Sequence, residues 1–328
     1  MSDSNPGQCS GGQLMKTYSF GTETVPVALA GDLLVGSVHD GKNYKIMLAR
    51  LDGEEIVETR FLAGENDWEG HSALDLGDNY LIGGAVEGVA TPDGGEGWKA
   101  YLARLDKSLN PLWELKLNVR NNGAVYSILL SNDGVFIAGE TGRPGNKGFF
   151  MGKVSKEGEL LWLRDFGSWE DAVFTALLPS ENGPVAIGSA KEKRWKVRAF
   201  EFTKDGEPLG ENVLAGGIAL NACLWNGKLV LAGYRREDFW LRIGERDVKL
   251  GKGSATSLLP AGNKLLVGGE LEGKAVVVEI LEGEELEVRE LWENGWVEVL
   301  GMDVVAGVTG DWKMVLLSAC QSDKKLRN

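Results

Sequence analysis

The feature that most constrains this chain is a short apolar burst ending in a small residue, which recurs seven times: Leu33–Ser37, Tyr80–Gly84, Val135–Gly139, Val185–Ser189, Leu229–Gly233, Leu265–Gly269 and Asp303–Gly307. The closing residues stand 47, 55, 50, 44, 36 and 38 positions apart, a mean of about 45. A repeat of that length cannot bury its own apolar face and must stack on its neighbours; four-stranded sheets arranged about an axis do this at such a period. The expectation is an all-β chain: a seven-bladed β-propeller of four-stranded antiparallel blades. The fold class does not carry a function with it, because propellers serve as platforms for unrelated activities.

Within each repeat the burst reads as a second strand. Before it lie stretches such as Val125–Leu129, Ala172–Leu177 and Thr256–Leu259, joined to it by hairpin turns such as Asn132-Asp133-Gly134 and Asn226-Gly227. After it come runs such as Lys45–Asp52 and Lys99–Asp106, then Leu112–Lys116 and Leu160–Arg164, as third and fourth strands. The bursts are continuously apolar rather than alternating, as expected of strands covered on both faces. Loops from second to third strand, and from fourth to the next first strand, then share one rim, the top. The seventh repeat runs out of sequence after three strands, while Lys16–Phe20 precedes the first complete blade. Pairing Lys16–Phe20 with Lys313–Ala319 would complete the last blade, close the ring and leave no open edge. One propeller domain is expected over residues 14–320, between a flexible tail 1–13 and a tail 321–328.

Composition narrows the partners. Acids outnumber bases 48 to 35, a net charge of −13, and no basic run exceeds Lys324-Lys325, which argues against nucleic acid. No apolar stretch is long enough to span a bilayer, and the polar start of the chain is not a signal-peptide core. The chain thus reads as a cytoplasmic monomer. The segment Cys9-Ser10-Gly11-Gly12 leaves an extracytoplasmic alternative open, since it looks like the start of a mature lipoprotein after leader removal. Glutamine occurs only three times, beside abundant Glu and Lys, a bias found in proteins of hot sources. Of the three cysteines, Cys223 reads as a core residue. Cys9 and Cys320 are either free thiols or a disulfide, which on the loop-entropy model would add roughly 5 kcal/mol.

The run Trp162-Leu163-Arg164-Asp165-Phe166-Gly167-Ser168-Trp169-Glu170-Asp171-Ala172, followed by Ile187-Gly188-Ser189, resembles the repeats of uncharacterised bacterial and archaeal propeller proteins. Similar pieces recur at Arg104-Leu105-Asp106 with Trp113 and at Lys153–Gly158 with Trp162, although the fifth and sixth repeats lack the Trp. The resemblance implies the propeller without a substrate. More distant likenesses are to quinoprotein propellers and Kelch repeats. A docking Trp in every blade, which a quinone cofactor would call for, is missing, and so is the Gly-His and Trp-Asp pattern of WD40 repeats. No cofactor is implied.

Candidate binding residues fall in two sets on the expected top rim. Tyr44, Trp98, Trp195 and Trp312 each precede a third strand and either stack on a ligand or cap the seams between blades. Trp68, His71, Arg120, Trp169, Asp171 and Trp296 lie at or beside the loops leading into first strands, where they suit a polar ligand or a cation. Acids and amides in such loops equally serve to cap backbone N–H groups. His39 and His71 lie in different repeats and no metal-ligand spacing is present. The long loop Val86–Gly97, with Thr91–Gly95, reads as a flap or an insertion. Nucleophile-elbow, P-loop and zinc-protease motifs are missing. The leading reading is therefore a non-catalytic propeller that binds a protein, or a small polar or carbohydrate ligand, on its top face and at the mouth of its axial channel. A carbohydrate hydrolase or lyase would need two facing carboxylates, for which Asp67, Glu69, Asp171 and Glu298 are the candidates.

Overall fold

A computed structural model describes residues 7–8, 14–88, 97–282 and 285–318. Cys9, Cys320, the loop segment 91–95 and the tail 321–328 lie outside the described residues. Among those described there are 28 strands and no helix. The first two, β1 (Gly7–Gln8) and β2 (Leu14–Tyr18), belong to the last sheet. Sheet I holds β3 (Glu23–Ala30), β4 (Leu33–His39), β5 (Tyr44–Asp52) and β6 (Glu55–Leu62). Sheet II holds β7 (Trp68–Asp75), β8 (Asn79–Glu87), β9 (Trp98–Asp106) and β10 (Pro111–Leu117). Sheet III holds β11 (Gly123–Ser131), β12 (Gly134–Arg143), β13 (Asn146–Ser155) and β14 (Leu160–Trp169). Sheet IV holds β15 (Asp171–Pro179), β16 (Pro184–Lys191), β17 (Trp195–Phe202) and β18 (Pro208–Gly216).

Sheets V and VI are joined. Sheet V has β19 (Ile218–Trp225), β20 (Lys228–Arg235) and β21 (Asp238–Ile243), and its fourth strand is the first half of the 16-residue β22 (Arg246–Ala261). From Gly253 onward the same strand pairs with β23 (Lys264–Leu271) and opens sheet VI, which β24 (Lys274–Leu281) and β25 (Leu286–Glu293) complete. No loop intervenes, which accounts for the shortest spacing between bursts. Sheet VII consists of β26 (Gly295–Leu300), β27 (Val304–Thr309) and β28 (Met314–Ser318), with β2 antiparallel to β28 in the register Met15↔Leu317 to Tyr18↔Met314. The N-terminal strand therefore completes the C-terminal sheet, two residues earlier than the sequence suggested.

Seven hydrophobic clusters fill the seams, one between each pair of successive sheets, and one between VII and I in which Val304, Ala306 and Leu316 meet Leu34 and Met47. Each sheet thus has a neighbour on both faces, which is why the second strands are apolar throughout. Full burial of such a side chain is worth about 1.5–3 kcal/mol. Cys223 sits among these clusters as a free thiol, and burial pushes its pKa up to about 12.

The first strands form the innermost layer, and each carries a β-bulge at the same place. The unpaired residues are Val27, His71, Tyr126, Thr175, Leu220, Thr256 and Glu298. Opposite the residue just before every bulge stands a glycine of the second strand: Gly36, Gly84, Gly139, Gly188, Gly233, Gly269 and Gly307. The bulge drives an inner-strand carbonyl toward it, so a Cβ would lie 1.7 Å from the Ala124 oxygen at Gly139 and 2.0 Å from the Ile218 oxygen at Gly233. At Gly188 the obstacle is instead the Phe149 ring, 2.4 Å away. The glycine at or next to the end of each burst is therefore a steric requirement, set by the bulge in six sheets and by the Phe149 ring in sheet IV.

Gly233→Ala should lower stability by about 2 kcal/mol or more through forced backbone displacement. Gly210→Ala, on an outer strand with nothing within 4 Å of the added carbon, should leave it unchanged within about 0.5 kcal/mol. Urea denaturation of the two variants makes the comparison.

Candidate functional site

A bulge releases backbone polar groups that must find other partners. Here the neighbouring sheet supplies them. The freed N–H of Gly70 donates to Ser37 Oγ at 3.2 Å, that of Phe174 to Glu140 Oε1 at 3.0 Å and that of Ala219 to Ser189 Oγ at 2.9 Å. These three acceptors occupy one equivalent position, immediately after the glycine that stands opposite the residue before the bulge. In the other direction Ser72 Oγ donates to the Val125 carbonyl, Thr175 Oγ1 to the Ala219 carbonyl and Thr256 Oγ1 to the Val297 carbonyl. The innermost layer is thereby stitched from sheet to sheet.

Where sheets II and III meet on the rim of the second-to-third and fourth-to-first loops, this arrangement leaves a cavity of about 320 Å³. Its walls include Glu69, His71, Trp98, Tyr126, Glu140 and Lys147. The bulges of two adjacent strands bring His71 and Tyr126 face to face, ring centroids 4.4 Å apart and 21° from parallel. Burial holds His71 down to about 4, so the imidazole is neutral at neutral pH. Glu69 reaches within 3.5 Å of His71 Nε2, and its carboxyl is raised by burial and then by Asp67. Glu140 is likewise raised by burial. Lys147 lies 3.7 Å from Glu140 and 3.3 Å from Asp171. The floor is tied by Asn122, which accepts from the Trp98 N–H at 2.8 Å and donates to the Gly142 carbonyl at 3.2 Å.

The residues singled out from sequence are thus distributed over several places. His71 and Trp98 line this cavity, and Asp171 reaches it through Lys147. Arg120 turns toward sheet III, 3.4 Å from Asp165 and bonded to the Gly167 carbonyl at 2.9 Å. Trp68 packs in the seam between sheets I and II against Tyr101, with Lys116 over its ring. Trp169 belongs to an aromatic cluster with Phe149 and Phe200 between sheets III and IV. Trp195 opens β17, its carbonyl accepting from Gly217. Trp296 and Trp312 meet edge to face at 5.5 Å in sheet VII, and Trp296 Nε1 donates to Glu298 at 2.7 Å. Tyr44 donates its hydroxyl to Glu23 at 2.6 Å.

Of the four candidate carboxylates, Asp67 accepts the Tyr44 N–H at 2.9 Å, the same backbone-capping job that Asn122 does one sheet on. Glu69 faces the cavity, Asp171 pairs with Lys147, and Glu298 sits at the bulge of sheet VII. His39 bonds Thr22 at 2.9 Å in sheet I, and among the described residues no three metal-ligating side chains converge. Tyr126, Glu140 and Lys147 were not anticipated. The available signal was Glu140 itself, a charged residue directly after a second-strand glycine, a place taken by Ser37 and Ser189 in two other repeats and by Glu270 in a third.

No family model and no curated protein matches the sequence. Solved structures do match by shape. The chain superposes on puromycin hydrolase with a TM-score of 0.61 at 15% identity, covering 89% of this chain and 51% of that one, so it spans about half the hydrolase's length. It matches the β-propeller domain of the Trilobed protease from Pyrococcus furiosus, reported to have an open velcro topology, at TM-score 0.53 and 12% identity over 90% of this chain and 95% of that. BamB from Moraxella catarrhalis gives 0.51 and 12% over 97% and 99%. The fold is a β-propeller. Among the described residues no helix is long and apolar enough to cross a membrane.

Burial lifts Glu298 from its ordinary 4.5 to about 7, against the opposing hydrogen bond from Trp296. Between those values the folded state holds a proton that the unfolded state has lost, so stability falls as pH rises through this window and levels off above it. Glu298→Gln should remove up to about 3 kcal/mol of that decline. Denaturation midpoints of both proteins from pH 4.5 to pH 8 measure it, and parallel curves would contradict the assignment.

Proposed function

We propose that this propeller is a binding protein whose top rim holds a small polar ligand in the cavity between sheets II and III. The observation that carries the reading is the convergence there of two half-buried carboxylates, an ammonium and the rings of Trp98, Tyr126 and His71 around about 320 Å³. That volume falls at the lower end of small-molecule sites, roughly 300–1,000 Å³. Acceptors (Glu69, Glu140), donors (Lys147 and the Tyr126 hydroxyl) and flat apolar faces together match a hydroxyl-rich ligand such as a sugar or a polyol-bearing metabolite. The neutral imidazole keeps the site from adding a second positive charge.

A hydrolytic role is the competing reading, since Glu69 and Glu140 are both raised and share the cavity. The shared fold with puromycin hydrolase does not decide between them. A panel of glycans and polar metabolites, followed in parallel by calorimetry and product analysis, separates the two. We expect binding without turnover, weakened at least tenfold by Trp98→Ala and by Lys147→Met. Product formation that disappears in Glu69→Gln would replace this reading with catalysis. Absence of both binding and turnover would remove the cavity as a site.

A further inference from the structure

The rim opposite that cavity carries a feature unrelated to it. Four residues past each bulge, the inner strand reaches the first-to-second loops. In sheets I and II that position is Gly31 and Asp75, but in the next five it is Leu130, Pro179, Leu224, Pro260 and Met302. All five are exposed, Leu130 by 58%, Leu224 by 46% and Met302 by 68%. Single exposed apolar residues are ordinary, but five at one register position of five successive inner strands form an arc around one end of the axis. At Leu130 the arc runs into a groove of about 380 Å³ between sheets II and III, walled by Leu76, Leu81 and Trp113. Of the charged residues lining the groove, Asp75 is paired with Lys107 at 2.9 Å, Arg104 donates to the Lys156 carbonyl at 2.8 Å, and Lys156 adds one ammonium at the groove's edge.

Five of the seven first-to-second turns on this rim carry an acid, while those of sheets V and VI are the uncharged Asn226-Gly227 and Gly262-Asn263, with Lys228 and Lys264 opening the strands that follow. The seven first-to-second turns contain Asp32, Asp78, Asp133, Glu181 and Asp303 and no Lys or Arg. Asp133 is paired with Lys153 and Asp32 accepts from Tyr80, whereas Asp78, Glu181 and Asp303 have no ion-pair partner among the described residues. An apolar track inside a mainly acidic frame selects by charge as well as by shape. A second copy of this chain would bring net −13 against the same sign.

We infer that this rim docks a segment of another protein that presents apolar residues between lysines or arginines, with one apolar side chain anchored in the groove beside Leu130. Docking anchors of this kind fill a desolvated pocket, here at the Leu130 end of the arc, with charges at the border of the contact setting encounter and register. The site is independent of the ligand cavity on the top rim.

A fluorescein-labelled 14-residue peptide of alternating leucine and lysine pairs, read by anisotropy, tests it against a serine–lysine peptide of equal charge. The leucine–lysine peptide should bind at least tenfold more tightly. The triple variant Leu130→Ser, Leu224→Ser, Met302→Ser should lose at least tenfold with an unchanged melting temperature, and Asp78→Asn, Glu181→Gln, Asp303→Asn should flatten the salt dependence. Should the apolar triple fold poorly, Met302→Ser alone, in a turn, should still cost about threefold. Trp98→Ala should have no effect. Equal binding of the two peptides, retention by the apolar triple, or a wild-type dimer in sedimentation that the triple abolishes would each overturn the inference.

Discussion

The architecture depends on one local collision, the inner-strand carbonyl that the bulge pushes into the space above a second-strand glycine in every sheet but IV, where the Phe149 ring fills that space. The extra residue in the inner strand breaks pairing at one point, bends the strand and turns an unpaired side chain out of the ladder. Because this happens at the same register in every sheet, the seven displaced residues come to the innermost layer together. The glycine permits the close approach, and the hydroxyls of the neighbouring sheets take up the groups that the break releases. Local geometry and contact between sheets are thus the same event seen from two sides.

That arrangement also explains how a site arises without an inserted domain. A bulge position has no partner in the ladder, and its identity varies around the layer from valine through threonine to His71, Tyr126 and Glu298. Where two adjacent bulges carry rings and the acceptor one position after the glycine is a glutamate instead of a serine, the stitching of sheet III to sheet IV becomes one wall of a cavity. Glu140 serves both purposes: one oxygen holds the Phe174 N–H, and the side chain stands 3.7 Å from Lys147. Desolvation of Glu140 is tolerated because it keeps both of these partners.

Much of the fold was legible in the sequence because it is written in short-range terms. The apolar bursts, the Asn-Gly and Asp-Gly turns and the surplus strand at the N-terminus report strand positions directly, and the last predicted the pairing of β2 with β28. The site was legible only in part. Trp98 and His71 were found by their place relative to strands, but Trp68 and Trp169 share that signature and are consumed by seam packing. Tyr126 lies in Gly-Ala-Val-Tyr-Ser, which reads as an ordinary buried strand, since a bulge alters register without altering composition. Lys147 sits on a third strand, and only the packing of sheet III against its neighbours reveals that it turns to two carboxylates.

The uninterrupted passage of β22 from sheet V into sheet VI sets one seam apart from the others. At three other crossings a single residue, Glu170, Gly217 or Asn294, separates the strands, and only from sheet I to II, from II to III and from VII to I does a longer loop join them. At β22 the backbone itself is the joint, so added residues would have to be absorbed within two ladders at once. Diversification of this rim by insertion is accordingly open at the looped crossings 19–22, 63–67 and 118–122 and most constrained at this one, which gives the molecule a fixed point from which its variable side is measured.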